Sequence, residues 1–126
     1  MPNSPLHVEL SLCATAHLAR FVRMAASNMA MLSSMSVETV QDVKMAAEEA
    51  FIYACSASTD TPLVISFDAT PEQVMMEFAF DAPVFPPVAT DDPATAYADL
   101  LIGAVCSSYE KLEEPARLLM TVKADL

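Results

Sequence analysis

Residues 63–80 read LVISFDATPEQVMMEFAF, and this stretch decides the fold. Every second side chain is large and apolar in Leu63–Asp68, and the same holds in Val74–Phe80. A period of two residues is typical of a strand with one buried face. The intervening residues 69–73 contain a proline and read as a turn, so the stretch predicts a β-hairpin in the middle of the chain.

A strand and two helices are predicted before the hairpin. Alternation over His7–Leu12 indicates the strand, and helical spacing of apolar residues indicates a first helix over Ala14–Leu32. The second helix begins after Ser36, which is a good N-cap, and ends near Ser56. Its expected buried face is Val40, Val43, Ala47, Ala50, Phe51 and Ala54.

The first helix carries two apolar stripes. We expect one of them in the core, whereas the other belongs either to the core or to a contact surface, because flexible thioethers suit adaptable interfaces. The core stripe is Leu18, Phe21, Val22, Ala25, Met29 and Leu32, and the second is Met24, Met31 and Met35.

Prolines shape the chain after the hairpin. Three prolines between residues 81 and 92 exclude a helix interior or a central strand there. Pro93 suits the first turn of a third helix that reaches about Ser107. A final hairpin is expected from Tyr109–Glu113 and Arg117–Lys123.

The element order β-α-α-β-β-α-β-β predicts the α+β class, as a two-layer α/β sandwich. We expect a mixed, mostly antiparallel sheet with about three helices on one face. The chain has 126 residues, of which 54% are hydrophobic, so it fits a single domain over residues 1–126 with a sizeable core.

Composition excludes several classes of function. A formal net charge of −11 argues against direct nucleic-acid binding, which needs cations to neutralise phosphates. No apolar run approaches the roughly 20 residues of a membrane span, and Met1–Pro5 lacks the features of a signal peptide, so we expect a cytoplasmic protein. Cys13, Cys55 and Cys106 fit no disulfide framework or zinc site and are expected to be buried thiols. With Gly103 as its one glycine, the chain has no glycine-rich phosphate loop.

The second helix carries a motif. Residues 37–54 read VETVQDVKMAAEEAFIYA, and together with the element order this helix resembles the anti-sigma factor serine-protein kinases. These are small bacterial members of the GHKL superfamily, the histidine kinase-like ATPases with the Bergerat-type fold. The family helix has E-A-x-x-N-A, and residues 49–54 match all of it except the asparagine. The likeness covers nearly the whole chain in order and length.

The resemblance implies a degenerate nucleotide pocket. It places Glu49 at the family's general base, now vestigial, and Tyr53 at the asparagine that binds magnesium. It places Asp81 at the aspartate that binds adenine, in a D-x-G-x-G segment where Pro83 and Phe85 replace the glycines. The phosphate-binding G-x-G corresponds to Ala96-Tyr97-Ala98. The residues of the expected degenerate pocket are Tyr53, Asp81, Pro83, Ala96 and Ala98. We expect it to hold no metal ion and no cofactor. ATP and magnesium would bind only if the pocket still functions.

Simpler readings of three of these residues remain open. Glu49 beside Glu48 also fits a solvated helix carboxylate, and Asp81 at a strand end also fits a turn or a helix cap. Tyr53 also fits a packing residue that fills the vacated pocket.

The expected function is that of an anti-sigma-factor-like regulatory protein, which acts by binding a sigma factor or an anti-sigma antagonist. Family analogy places the partner surface on the first helix, at Arg20, Arg23, Met24 and Met31. One alternative is an active ATP-dependent serine-protein kinase. A second alternative, motivated by the methionine stripe, is a homodimeric structural or small-ligand module.

Overall fold

The central hairpin lies in the middle of the protein, whose computed structural model describes residues 5–57, 62–85 and 93–126. The elements follow the predicted order. They are β1 (Leu6–Leu12), a 3₁₀ turn (Ala16–Leu18), α1 (Ala19–Ala30), α2 (Val37–Ser56), β2 (Leu63–Thr70), β3 (Gln73–Ala79), α3 (Pro93–Val105), β4 (Ser108–Leu112) and β5 (Arg117–Lys123).

The five strands form one sheet in the order β1-β2-β3-β5-β4. This is an α+β fold, with three helices packed against a five-stranded antiparallel sheet. The expected mixed sheet is wrong for the described strands, because all four neighbouring pairs are antiparallel. The chain crosses over α3 to the edge strand β4, and a hairpin then returns β5 into the gap beside β3.

The β2–β3 turn is tighter than predicted. Thr70 pairs with Gln73, so only Pro71 and Glu72 lie between the strands. Side chains on one face of β2 are buried against the helices, and those on the opposite face are only partly covered. The hairpin therefore supplies the centre of the core through Ile65, Phe67, Val74, Met76 and Phe78, each at most 1% exposed.

Helix α2 is the middle of the helix layer and packs against both α1 and α3. Most of its predicted buried face is confirmed, although Val40 is only partly buried. Its alanines have no rotamer freedom to lose and take little space, so neighbouring elements approach it closely. The buried residues of α2 are Val43, Ala46, Ala47, Ala50, Phe51, Tyr53 and Ala54.

The buried face of α1 differs from the prediction. Phe21 and Leu32 are about half exposed instead of buried, and Leu18 and Ala25 are only partly buried. The helix begins at Ala19, and small side chains lie where it meets the core. Its buried residues are Val22, Ala26, Met29 and Ala30.

Ser36 caps α2 as predicted, since its side chain accepts a hydrogen bond of 3.2 Å from the Thr39 amide. Asp125 strengthens this cap. Its carboxylate accepts hydrogen bonds from the Ser36 amide, at 2.8 Å, and from the Ser36 hydroxyl, at 2.6 Å. These bonds lower the pKa of Asp125, and its charge also lies at the favourable end of the helix dipole.

The cysteine prediction is partly wrong. Cys13 is exposed, whereas Cys55 and Cys106 are partly buried, and all three are free thiols. Cys13 follows the edge strand β1 directly, where the helices leave it uncovered. Burial, together with the nearby Asp42 carboxylate, raises the pKa of Cys106 to about 12, so this thiol stays protonated and unreactive.

Within residues 5–57, 62–85 and 93–126, no helix combines the length and the apolar character that crossing a membrane requires.

Candidate functional site

Tyr53 lies in the interior, where the resemblance places a magnesium ligand. Its ring is 5% exposed and packs edge-on against Phe80, with the centroids 6.0 Å apart, and against Phe85, at 6.3 Å. Phe80 and Phe85 also contact each other, at 5.4 Å. Edge-to-face aromatic pairs of this kind each contribute roughly 0.5–1.5 kcal/mol beyond the burial of their area. We call these three residues the aromatic cluster.

The backbone after β3 holds Phe85 in the aromatic cluster. The Ala116 amide donates to the carbonyl of Ala82, and the Glu114 amide donates to the carbonyl of Pro83, both at 2.7 Å. The Phe85 amide donates to the Glu113 carboxylate at 2.9 Å. The segment over residues 82–85 is thus tied to the β4–β5 turn.

Asp81 begins this segment at the surface. It is exposed and has a φ of 53°, a left-handed conformation that asparagine and aspartate tolerate better than most residues. These features agree with the simpler interpretation of Asp81 as a turn residue. Pro83 is exposed as well, so neither side chain is enclosed by the aromatic cluster.

A polar network borders the aromatic cluster on the side of β4. The Lys111 ammonium lies 4.7 Å from the centroid of the Tyr53 ring and 2.8 Å from the Asp99 carboxylate. The Tyr109 hydroxyl donates to the other oxygen of Asp99 at 2.7 Å. Burial, followed by the contact with Asp99, raises the pKa of Tyr109 well above its usual range, so the phenol stays neutral. The network holds a cation over the ring of Tyr53.

Glu49 lies one helical turn before Tyr53 and is partly buried. Burial raises its pKa, and the neighbouring Glu48 carboxylate raises it further. Glu48 itself forms an ion pair with Arg23 of α1. A raised pKa suits a general base, but it also arises for any helix carboxylate that is partly buried beside another acid.

Ala96 and Ala98 lie inside α3 rather than at its start, because the helix already begins at Pro93. Ala96 is exposed and Ala98 is fully buried, so the two residues face different surroundings. Glycines at a helix N-terminus let a phosphate approach free backbone amides, whereas residues within a helix have their amides hydrogen-bonded already. The structure therefore does not bring these two alanines together as one phosphate-binding surface.

The residues around Tyr53 do not fit a magnesium–nucleotide complex. Magnesium needs compact oxygen ligands in octahedral geometry, and Tyr53 offers a phenol whose ring is enclosed by two phenylalanines. The Lys111 ammonium over that ring would repel a divalent cation at the same place. Within residues 5–57, 62–85 and 93–126, no three His, Cys, Asp or Glu side chains are arranged to hold a metal ion.

A second candidate site lies on the outer side of α1. Arg20, Met24 and Met31 are separated by four and seven residues and so follow one line along the helix. Met24 is 58% exposed and Met31 is 68% exposed, and the half-exposed Phe21 and Leu32 lie beside them. We call these five residues the α1 surface. A groove lined by Met31, Ser33, Met35, Val37 and Val40 continues it around the α1–α2 connection.

The four residues predicted to bind a partner are not equivalent. Arg20 is exposed and forms none of the ion pairs found in the described parts of the chain. Arg23 is half-buried and engaged by Glu48. Met24 and Met31 are exposed, whereas Met35 of the same predicted stripe is buried. The structure thus brings Arg20, Met24 and Met31 together on one face and turns Arg23 towards α2.

Three residues beside Tyr53 were not predicted from the sequence: Phe80, Asp99 and Lys111. The alternation of Tyr109 and Lys111 on β4 is a signal that both face the same side of the sheet. Nothing in the local sequence pairs them with Asp99 on α3, because that contact depends on how α3 packs beside β4.

Comparison of the sequence with models of known protein families gives no match, and comparison with curated proteins gives none either. The resemblance of the second helix to anti-sigma factor kinases therefore stays a prediction.

Proposed function

We propose that this chain is a regulatory binding protein of the anti-sigma-factor type that transfers no phosphoryl group. Its partner is a protein, either a sigma factor or an anti-sigma antagonist as the resemblance implies, and its contact site is the α1 surface. Regulation then depends on occupancy of that surface and does not require ATP.

The observation that carries this proposal is the packing of Tyr53. A kinase of the resembled family needs open space and a metal ligand at this position, and here a buried ring contacts Phe80, Phe85 and the Lys111 ammonium. Phosphoryl transfer depends on positioning and on electrostatic stabilisation of the phosphates, both of which the metal supplies. A chain without that metal ligand is unsuited to phosphoryl transfer, but its fold can still present a surface that binds another protein.

The chemistry of the α1 surface indicates what kind of segment binds there. Its exposed methionines and phenylalanine favour an apolar partner face, since flexible thioethers adapt to such contacts. Arg20 adds a cation that takes part in none of the ion pairs among residues 5–57, 62–85 and 93–126, in a protein of net charge −11. We expect a partner segment with an apolar face and at least one carboxylate opposite Arg20.

Calorimetry with ATP tests the absence of a nucleotide site. We expect no binding heat up to about 1 mM ATP, with or without magnesium. Magnesium-dependent binding that is lost in Glu49→Ala would support the alternative of an active serine-protein kinase and contradict the proposal.

Substitution of exposed methionines tests the contact site. Purified sigma factors and anti-sigma antagonists from the same cells are titrated with the wild-type chain and with the double variant Met24→Gln, Met31→Gln. We expect the double variant to weaken binding by about tenfold or more, because it removes apolar contacts at the proposed interface. The matched control is Met75→Gln, which changes an exposed methionine on the opposite face of the sheet. Equal losses in both variants, or no binding by the wild type, would contradict the proposal.

A further inference from the structure

A groove lies between the beginning of α1 and the end of α2. The connection between the two helices is short, so they are antiparallel neighbours in the helix layer. Ala16 of the 3₁₀ turn and Ala19 of α1 line one side, and their small side chains leave an open channel of about 450 Å³. Sites for small molecules typically have volumes of roughly 300–1,000 Å³. We call this channel the Ile52 groove, after the residue of α2 that faces the two alanines.

The Ile52 groove is apolar along most of its length. Phe51 lies beneath it, and Ile52 and Cys55 form the wall on the side of α2. Cys55 is partly buried, and burial raises the pKa of its thiol, so the sulfur stays neutral and behaves as a small apolar group. This part of the groove is therefore suited to a hydrocarbon chain.

Cations border the Ile52 groove on the side of α1. Arg23 lines the groove itself, and an adjoining depression is lined by His17, Arg20 and Arg23. Arg20 and Arg23 are three residues apart and so are neighbours on the helix surface. Residues 10–37 contain no aspartate or glutamate, although the whole chain has 17 of them. The beginning of α1 is thus a cationic region in an acidic protein.

The two arginines together have one positive charge in excess. Glu48 offsets the charge of Arg23, but this ion pair uses only Nη1 of a guanidinium that has five N–H groups. Within the part of the chain that the structure describes, Arg20 takes part in no ion pair. A ligand with a single negative charge between Arg20 and Arg23 therefore balances the charge of this region.

We propose that the Ile52 groove binds a single-chain carboxylate, with its head group at Arg20 and Arg23 and its alkyl chain along Ile52 and Cys55. The planar guanidinium fork matches the geometry of a carboxylate. Glu48 and Cys55 lie about 10 Å apart along the axis of α2, so the groove accommodates a chain of roughly eight to ten carbons. The alkyl chain leaves water in this arrangement, whereas the charged head group stays at the surface.

Titration calorimetry of the full chain with decanoate tests the proposal. We expect a dissociation constant below about 1 mM. Octanoate is two methylenes shorter and should bind about fivefold to tenfold more weakly, because less apolar surface is buried. Decyltrimethylammonium has the same chain length and the opposite charge, so it should bind at least about tenfold more weakly than decanoate. Absence of decanoate binding, or equal affinity for the two head groups, would overturn the proposal.

The variant Ile52→Glu tests where decanoate binds. It places a carboxylate in the wall of the groove and should weaken decanoate binding by about tenfold or more. Val37→Glu is the matched control, because Val37 belongs to the same helix, is 78% exposed and lies outside the groove. Unchanged affinity in Ile52→Glu would contradict the assigned site. Ile52 is not part of the α1 surface, so Ile52→Glu should keep partner binding, and this proposal and the proposed function can fail separately.

Alkylation of the wild-type chain gives a test that does not depend on how a variant folds. Bound decanoate covers Cys55 and should slow its reaction with N-ethylmaleimide by about threefold or more. Cys13 is exposed and does not line the groove, so its rate should stay the same. Peptide mass spectrometry measures both rates. Equal slowing of the two cysteines, or no slowing at Cys55 in saturating decanoate, would show that the ligand does not occupy the Ile52 groove.

Discussion

The aromatic cluster and the α1 surface both contain large apolar side chains, but the first region buries them and the second exposes them. In the aromatic cluster, Tyr53 is closed in by two phenylalanines and by the side chain of Lys111. On the α1 surface, large apolar side chains such as Met24 and Met31 lie open to solvent. The contrast indicates that the first region contributes to stability and that the second is available for contacts. Each of the following predictions tests that division.

The largest effect is expected in the aromatic cluster. Tyr53→Ala removes a ring that is 5% exposed and leaves a cavity, so the free energy of unfolding should fall by about 3 kcal/mol or more. Urea denaturation measures this change. The matched control is Tyr97→Ala on α3, where the side chain is mostly exposed and the loss should stay below about 0.5 kcal/mol. Equal losses of unfolding free energy in Tyr53→Ala and Tyr97→Ala would contradict the stabilising role assigned to the aromatic cluster.

Arg20→Glu is expected to separate stability from binding on the α1 surface. Helix α1 has no acidic residue in its first turn and no side-chain cap, and Arg20 lies at the positive end of the helix dipole. An acid there should raise the free energy of unfolding by about 0.5 kcal/mol, although it weakens partner binding. Thermal unfolding and the partner titration measure the two effects. Lys123→Glu, at an exposed strand end, is the control, and it should change neither the free energy of unfolding nor partner binding by much. Destabilisation by Arg20→Glu would show that Arg20 supports the fold instead.

The smallest effect concerns Glu49, next to the aromatic cluster. Burial raises its folded-state pKa above the unfolded value, so its ionised form disfavours folding once the pH exceeds both values. Glu49→Gln should therefore be more stable than the wild type at pH 7 and lose that advantage in acid. Since the carboxylate is only partly buried, the gain should stay below about 0.5 kcal/mol.

Asp125→Asn is the control for Glu49→Gln, because it should change the stability of the protein in the opposite direction. Hydrogen bonds from Ser36 lower the pKa of Asp125, so its ionised form favours the folded state above the unfolded pKa. The variant should be less stable than the wild type at neutral pH, and the difference should vanish as the pH falls through the folded-state pKa. Urea denaturation at several pH values measures both variants. The same sign for both would contradict this account of Glu49.

Local patterns were sufficient to predict most of the fold. Alternation located the hairpin and the bounds of β5, and Ser36 was identified as the cap of α2. The buried face of α1 was predicted only in part: Val22 and Met29 are buried as expected, but Ala26 and Ala30 lie in the core in place of Phe21 and Leu32. Periodicity shows that the helix has an apolar side, but it does not fix how the helix is rotated on the sheet. Phe21 and Leu32 are exposed since small alanines occupy the contact with the core.

Long-range packing explains what the sequence did not reveal about the candidate sites. The motif indicated that Tyr53 would be unsuitable for metal, and the segment after β3 indicated a large ring at Phe85. Only the tertiary structure shows that Lys111 and Asp99 complete this region, because they come from β4 and α3. A contact between elements that are distant in sequence has no local signature in a single chain.

The open methionines of α1 also make this face sensitive to oxidants. A sulfoxide replaces a flexible apolar thioether with a polar group, and access to the sulfur governs how fast it forms. Peroxide should modify Met24 and Met31 before the enclosed Met29 and Met76, an order that peptide mass spectrometry can read. Oxidation of these two residues would then weaken the proposed partner binding while the interior of the protein stays intact.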